Sequence, residues 1–299
     1  MKRNKGRFVI FAPSYDENSG GTIVLHKLAY LLDCLGESAY ICPGKVGVRN
    51  DLNLWKRFTK KFKRIEFEKS PDFETKLIKE SQITKNDIVV YPEVISGNPF
   101  KAKNVVRWLL HKPGFHTGEA NFGSDDLIFA FDDYCIEDGY GIDPKNKLYV
   151  LSLNSSYALP HEKRERQGSC YMMRKGTGRS LVHSLEDSIC VDGLSHAELA
   201  EIFQTTKYFY SYDELTLYSQ YAALCGCISV VIPDKYKTRD EWVSTHPISK
   251  YGIAYGMDDI DHAIKTQSGV KDYFDQLEIT SLESVKFFVD ASKNYFNLG

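Results

Sequence analysis

The chain of 299 residues contains no run of 18 or more apolar residues, so no membrane-spanning helix is expected. It has little net charge. The 38 Lys and Arg against 40 Asp and Glu leave −2, which excludes a bulk polycation that holds nucleic acid by charge alone. Its seven cysteines are odd in number and lack framework spacing, which excludes a disulfide-stapled scaffold. The basic start, Met1-Lys2-Arg3-Asn4-Lys5, leads into an apolar stretch too short for a secretory signal, and a reducing cytoplasm is the expected setting. A Walker A loop, a G-x-S-x-G elbow and an HExxH pair are all missing, and the eight histidines show no ligand spacing. What is present is ordinary globular composition, 42% hydrophobic and 26% charged. The 13% of aromatic residues suits a large core and aromatic-lined clefts.

Periodicity orders the elements. Residues 7–12 (RFVIFA) read as a buried strand, and a loop follows that ends in Ser19-Gly20-Gly21. Val24, Leu28, Leu31, Leu32 and Leu35 then share one helix face, with Gly36 where a C-cap would sit. Residues 38–42 form a second strand, completing a βαβ unit. Short apolar runs at 87–91, 105–110, 127–131 and 148–153 read as further strands covered on both faces. Residues 154–169 (NSSYALPHEKRERQGS) are polar and carry a Pro, a Gly and a charge run, as a domain boundary does. A second alternating series follows: strands at 169–173, 188–191, 208–210 and 227–232, helices at 196–204 and 214–224, and a mainly helical end from Met257. Ser195 and Glu198 form a capping box for the helix at 196. The expected fold is α/β: two Rossmann-like, doubly wound domains, 1–155 and 165–299, with C-terminal helices that could pack back on the first. Ligands of such folds lie beyond the carboxyl ends of the strands, and a cleft between the two domains is the expected site.

The segment 207–232 (KYFYSYDELTLYSQYAALCGCISVVI) carries the most chemistry. A strand ends in Ser211-Tyr212-Asp213 and a helix is expected to start there, with its amide-bearing end able to hold a diphosphate. Thr216 can add a hydroxyl and Asp213 can accept hydrogen bonds from sugar hydroxyls; alternatively Asp213 only caps the helix. An acid, a helix rich in small residues, Cys-Gly, an apolar strand and a Pro together resemble the C-terminal domain of GT-B glycosyltransferases. The likeness is to the family-4-type enzymes of bacterial polysaccharide synthesis. That resemblance implies a Glu, seven residues and a second Glu, contacting the donor sugar and the nucleotide ribose. Matched on Gly226, Asp213 takes the first position and Tyr221 the second, so the ribose contact departs from the family pattern. The resemblance further implies that Gly20 and Gly21 bring backbone amides toward donor phosphates. It also implies that Arg174 and Lys175 neutralise the diphosphate leaving group, and that no metal or cofactor is needed.

The N-terminal half is then expected to hold the acceptor. Glu93 and Asn98 end a strand in YPEVISGNP, and Glu93 could orient or deprotonate an acceptor hydroxyl or merely pair with a cation. His111, at the end of RWLLHKPGFH, is a second candidate base or a structural histidine. Asp132 and Asp133 are a weaker third, and Arg107 and Trp108 read as structural or lining residues. WKRFTKKFKRI, 55–65, carries six cations on an amphipathic pattern and suits the inner membrane surface, where a lipid-linked glycan acceptor would lie, or an ordinary surface helix. Asp259-Ile260-Asp261 has the metal motif of another glycosyltransferase class but reads as a helix start. Cys225-x-Cys227 lacks a second ligand pair and reads as core packing. Gly176-x-Gly178-x-x-Leu181, with Asp192 after the next strand, imitates a dinucleotide fingerprint without its third Gly. The expected function is transfer of a sugar from a nucleotide-diphosphate sugar to a glycan. A nucleotide-sugar epimerase, a Rossmann dehydrogenase and a non-catalytic binding protein are the alternatives.

Overall fold

The computed structural model describes residues 6–44, 67–159, 165–236 and 238–298. The basic stretch 55–65 lies outside them. The chain divides into two compact units, residues 1–152 with 278–299, and residues 153–277.

In the first unit five parallel strands are β1 (Phe8–Ala12), β2 (Ala39–Pro43), β3 (Ile88–Pro92), β4 (Asn104–Leu109) and β5 (Leu127–Ala130), in the order β2-β1-β3-β4-β5. Every residue of β1, β3, β4 and β5 is buried, which is why these runs read as continuous rather than alternating apolar sequence. Successive side chains point to opposite faces. Phe8, Ile10, Val90 and Trp108 meet Leu25, Leu28 and Leu32 of helix α1 (Gly20–Cys34) and Phe288 of helix α6 (Val270–Tyr295). Val9, Phe11, Val89 and Tyr91 pack under loop residues Ile78 and Ile95. Phe288 meets Phe8 at 5.5 Å and Phe129 edge-to-face at 5.0 Å. Helix α1 ends in a Schellman turn: Gly36, at φ +79°, donates to Asp33 O and Glu37 donates to Leu32 O, so the left-handed residue is a glycine for a conformational reason.

The run 148–153 is a correction to the sequence reading. It is extended but belongs to no ladder beyond a single bridge from Lys147 to Ala130. Serines of α6 take the place of a neighbouring strand: Tyr149 N donates to Ser284 Oγ and Leu151 N to Ser281 Oγ, both at 2.8 Å. An apolar run whose amides are satisfied by side chains is indistinguishable from a strand in sequence.

The second unit repeats the same winding. Strands β6 (Gln167–Met172), β7 (Ser188–Cys190), β8 (Thr206–Ser211), β9 (Ile228–Val231) and β10 (Ile253–Tyr255) are parallel in the order β7-β6-β8-β9-β10. In each unit the chain goes from its first strand outward to its second, then crosses to the other side for its third. Both units are therefore Rossmann-like, and each has a topological switch point between its first and third strands. Cys170, Met172 and Phe209 pack on α2 (His196–Thr205) and α3 (Tyr218–Leu224), and Tyr210, Val230 and Ala254 pack toward Ala263 of α5 (Ile260–Thr266). The sequence reading missed the three-residue β10 and the seven-residue α4 (Arg239–Thr245), both too short for a periodic signal. Among the described residues no helix is long and apolar enough to cross a membrane.

Candidate functional site

The carboxyl end of the second sheet holds a hollow at its switch point, about 300 Å³ counted to its open mouth. Lys175 comes from the turn after β6, Tyr212, Asp213, Glu214 and Leu215 from the loop after β8, and Asp234 and Lys235 from the loop after β9.

The turn after β6 is built around carboxylates and carbonyls. Met173 is right-handed and Arg174, at φ +42°, is left-handed. That pair of conformations turns successive amides to one side, an anion-binding concavity. Its occupant is internal: Asp192 accepts from Met173 N at 2.8 Å and Arg174 N at 3.1 Å, one bond on each oxygen. Asp192, the acid of the dinucleotide look-alike, is thereby an anchor for the turn. No α-helix follows the glycines either, because 174–176 is one 3₁₀ turn. The amides of this turn are thus committed, while the side chains of Arg174 and Lys175 are exposed. Gly176 lies so close to the Tyr212 carbonyl that any side chain would overlap it. Arg179 then ties the ends of β8 and β9 together, donating to Tyr212 O at 2.8 Å, Ile232 O at 3.2 Å and Pro233 O at 2.6 Å. The Tyr212 hydroxyl closes the same strap, accepting from Val182 N and meeting His183 Nδ1, each at 2.8 Å. Burial lowers the pKa of His183, and among the described residues its Nε2 has no hydrogen-bond partner.

The loop after β8 corrects the expected helix start. Asp213 Oδ1 accepts from Leu215 N at 3.2 Å and Thr216 Oγ1 from Tyr218 N at 3.3 Å, so side chains take the amides and α3 starts at Tyr218. With seven residues, α3 is too short to be an anion site of its own. Asp213 is buried, with Arg174 Nε 3.9 Å from its Oδ2. The Arg174 guanidinium lies 5.1 Å over the Tyr218 ring. Glu214 is buried and its carboxylate accepts from Asp234 N at 2.8 Å, Lys235 N at 3.1 Å and the Tyr255 hydroxyl at 2.6 Å. Burial and that carboxylate push the Tyr255 phenol well above its ordinary pKa, so it remains a donor. Glu214 thus fixes the loop that carries Lys235. Lys175 and Lys235 are exposed and make no ion pair among the described residues.

Tyr221 stands elsewhere. Its ring stacks on Tyr157 at 4.1 Å and 7°, and it is buried in the core with Phe209 and Ala222. Arg174, Lys175 and Asp213 come together at the hollow, with Thr216 one residue beyond its lining. The sequence reading missed Tyr212, Arg179, Glu214 and Lys235. Lys175 was selected through the family resemblance; Lys235, just past β9, would be found by looking for cations at the carboxyl ends of the strands.

In the first unit Gly20 and Gly21 open α1 after Ser19, whose side chain makes no cap. A Cβ on Gly20 would meet nothing within 4 Å among the described residues. Glu93, directly after β3, is buried and accepts from Leu110 N at 3.0 Å; burial, the largest influence, pushes its carboxyl above the usual range. His111 Nδ1 accepts from Lys112 N at 2.8 Å, so the neutral ring carries its proton on Nε2. Asn98 is committed to its own turn: Oδ1 accepts from Ala102 N and the Tyr91 hydroxyl while Nδ2 donates to Ala102 O. Asp132 caps the 3₁₀ turn 133–135 and Asp133 pairs with Lys147 at 2.6 Å. Arg107 is fully buried, bound to Asp126 at 2.7 Å, Ile95 O and Gly97 O, which makes it structural. Asp259 accepts from Tyr255 N at 2.9 Å and forms an ion pair with Arg239, whose Nε lies 3.1 Å away, ahead of α5, and Cys225 and Cys227 are buried and free. Among the described residues no group of three or more His, Cys, Asp or Glu is placed to hold a metal ion.

No protein-family model and no curated protein sequence matches this chain. Among solved structures, the spinosyn forosaminyltransferase SpnP aligns with 97% of this chain and 96% of its own, at 9% identity and a TM-score of 0.39. The fold assignment rests on the two strand orders, not on that alignment.

Proposed function

We propose that this chain is a GT-B-type glycosyltransferase that takes a nucleotide-diphosphate sugar into the hollow of the second unit. The sugar passes to a glycan or lipid-linked glycan acceptor held by the first unit, in the building of a bacterial surface polysaccharide. The observation that supports this most is the pair of exposed lysines, Lys175 and Lys235, flanking a hollow lined by buried Asp213 at the switch point. Breaking a sugar–diphosphate bond builds negative charge on the leaving phosphate. Lys175, Lys235 and Arg174 would stabilise that charge without reorganisation, because Asp192, Arg179 and Glu214 already hold their backbones. Asp213 would accept hydrogen bonds from the sugar hydroxyls. Glu93, with its raised pKa, would exchange a proton with the acceptor hydroxyl, and His111 would orient it.

The test is a thermal-shift panel of UDP, GDP, CMP, dTDP, ADP and NAD, each with and without EDTA. Ligand at 100 times its Kd adds about 2.7 kcal/mol of apparent stability. A shift with one nucleoside diphosphate that survives EDTA supports the reading; a shift with NAD alone refutes it. A second reading, a nucleotide-sugar-binding protein without turnover, is favoured by Tyr221, whose burial in the core leaves no acid at the second family position. Release of free sugar from a donor without added acceptor would dismiss it.

A further inference from the structure

The loops after β4 and β5 carry two large rings that the fold leaves in solvent. Phe115 exposes 64% of its surface and Tyr134 57%. Neither is a loose surface ring. Phe115 stacks on His111 at 4.1 Å, and its edge meets His116 at 5.0 Å and 90°. Tyr134 stands perpendicular to His111 at 5.4 Å, with Lys112 Nζ 5.1 Å over its ring. The backbone beneath is equally set: Phe115 N donates to Lys112 O, Gly118 N donates to Gly114 O at 2.7 Å, and both glycines are left-handed. Leu110, where this loop leaves β4, is tied to Glu93. The outward faces are thus held in place before any ligand arrives, so little side-chain entropy is lost on binding.

We propose that Phe115 and Tyr134, backed by His111, form a platform for a pyranose ring. One face of a pyranose is apolar C–H surface that packs on an aromatic face, and its rim is hydroxyls that need donors and acceptors. On the same two loops the exposed Tyr134 hydroxyl and the exposed His116 imidazole, which meets the Phe115 ring, can supply both. The charges select against the other ligands that exposed rings take. Asp132, Asp133 and Glu137 lie in or beside these loops, and the nearby cations Lys112 and Lys147 are paired with Glu137 and Asp133. Phosphates of a nucleic acid or an anionic lipid surface would be repelled by these carboxylates, whereas a neutral saccharide is not. That the platform serves the acceptor of the transfer rests on the transferase reading; the stacking chemistry does not.

The experiment is saturation-transfer NMR on the full chain with methyl glycosides of glucose, galactose and N-acetylglucosamine. Parallel samples contain the variants Phe115→Ala, Tyr134→Ala, Phe115→Tyr and Arg174→Ala, and each sample is also titrated with the nucleoside diphosphates. At least one glycoside should show transfer to its ring C–H protons, reduced at least about fivefold in Phe115→Ala and Tyr134→Ala. Phe115→Tyr, which keeps the aromatic face, and Arg174→Ala, which alters only the second unit, should retain it. No transfer with the wild type, or equal transfer in Phe115→Ala, overturns the platform. If a nucleoside diphosphate still binds in those samples, the transferase reading survives that loss. If glycosides bind and no nucleotide does, the platform stands and the transferase reading falls.

Discussion

Arg179 is the single side chain on which the shape of the hollow depends most. Its guanidinium reaches the carbonyls of Tyr212, Ile232 and Pro233, which end β8 and β9. Replacing it with Met keeps the stem and removes all three bonds. Hydrogen bonds to a charged group contribute roughly 1.5–3 kcal/mol each. The Pro233 bond is on the exposed side, where water can replace it, so the two inner bonds set the cost at roughly 3–6 kcal/mol. At roughly 2–4 °C per kcal/mol, the melting midpoint should fall by about 6–24 °C. The loop with Lys235 and the turn with Lys175 would lose their common anchor, so the affinity for a nucleoside diphosphate should fall by about tenfold or more. Thermal unfolding and isothermal titration on the same preparations read both effects. A midpoint within about 1 °C of wild type would show that the carbonyls do not need the guanidinium. A large fall in midpoint with unchanged affinity would show that the clamp is real and that the nucleotide binds elsewhere.

Three further outcomes follow from the same contacts. Gly176→Ala places a methyl on the Tyr212 carbonyl oxygen, so the turn must move; nucleotide binding should be lost while circular dichroism still reports folded α/β structure. Arg107→Met removes a fully buried guanidinium from Asp126 and from two loop carbonyls, and should cost about 3–5 kcal/mol in denaturant unfolding. Glu93 has a pKa raised by burial, so the folded state holds its proton more tightly than the unfolded chain does. Its ionisation therefore subtracts stability as pH rises from the ordinary glutamate range through the raised value. Glu93→Gln, which still accepts from Leu110 N, should raise the melting midpoint more at pH 7 than at pH 4; an equal effect at both would contradict the buried-carboxyl account.

Much of the fold is visible in the apolar runs because parallel strands covered on both faces carry no alternation to miss. The helix α1 was legible from its stripe and its C-terminal Gly36, and α2 from the Ser195–Glu198 box, whose two reciprocal bonds form as expected. What failed is what depends on partners distant in sequence. Residues 148–153 have strand-like content, but Ser281 and Ser284 supply their bonds from about 130 positions away. The start of α3 was placed four residues early because Asp213 and Thr216 cap locally instead of continuing the helix. In the candidate site the cations after β6 were legible through the family resemblance, which matched Arg174 and Lys175 just past that strand. The roles of Asp192 and Glu214 were not, since an acid that binds backbone amides has the same sequence signature as one that waits for a ligand. Asn98 was misleading for the same reason: its amide closes a turn.

The most direct measurement is a calorimetric titration of UDP, GDP, CDP, dTDP and ADP into the wild type and into the double variant Lys175→Ala/Lys235→Ala. Both lysines are exposed, so the variant should fold with an unchanged midpoint. One diphosphate should bind the wild type and lose about tenfold or more in the variant, as expected when two charge-assisted phosphate contacts go. Equal affinity in both proteins, or binding of no diphosphate at all, would contradict the assignment of the hollow.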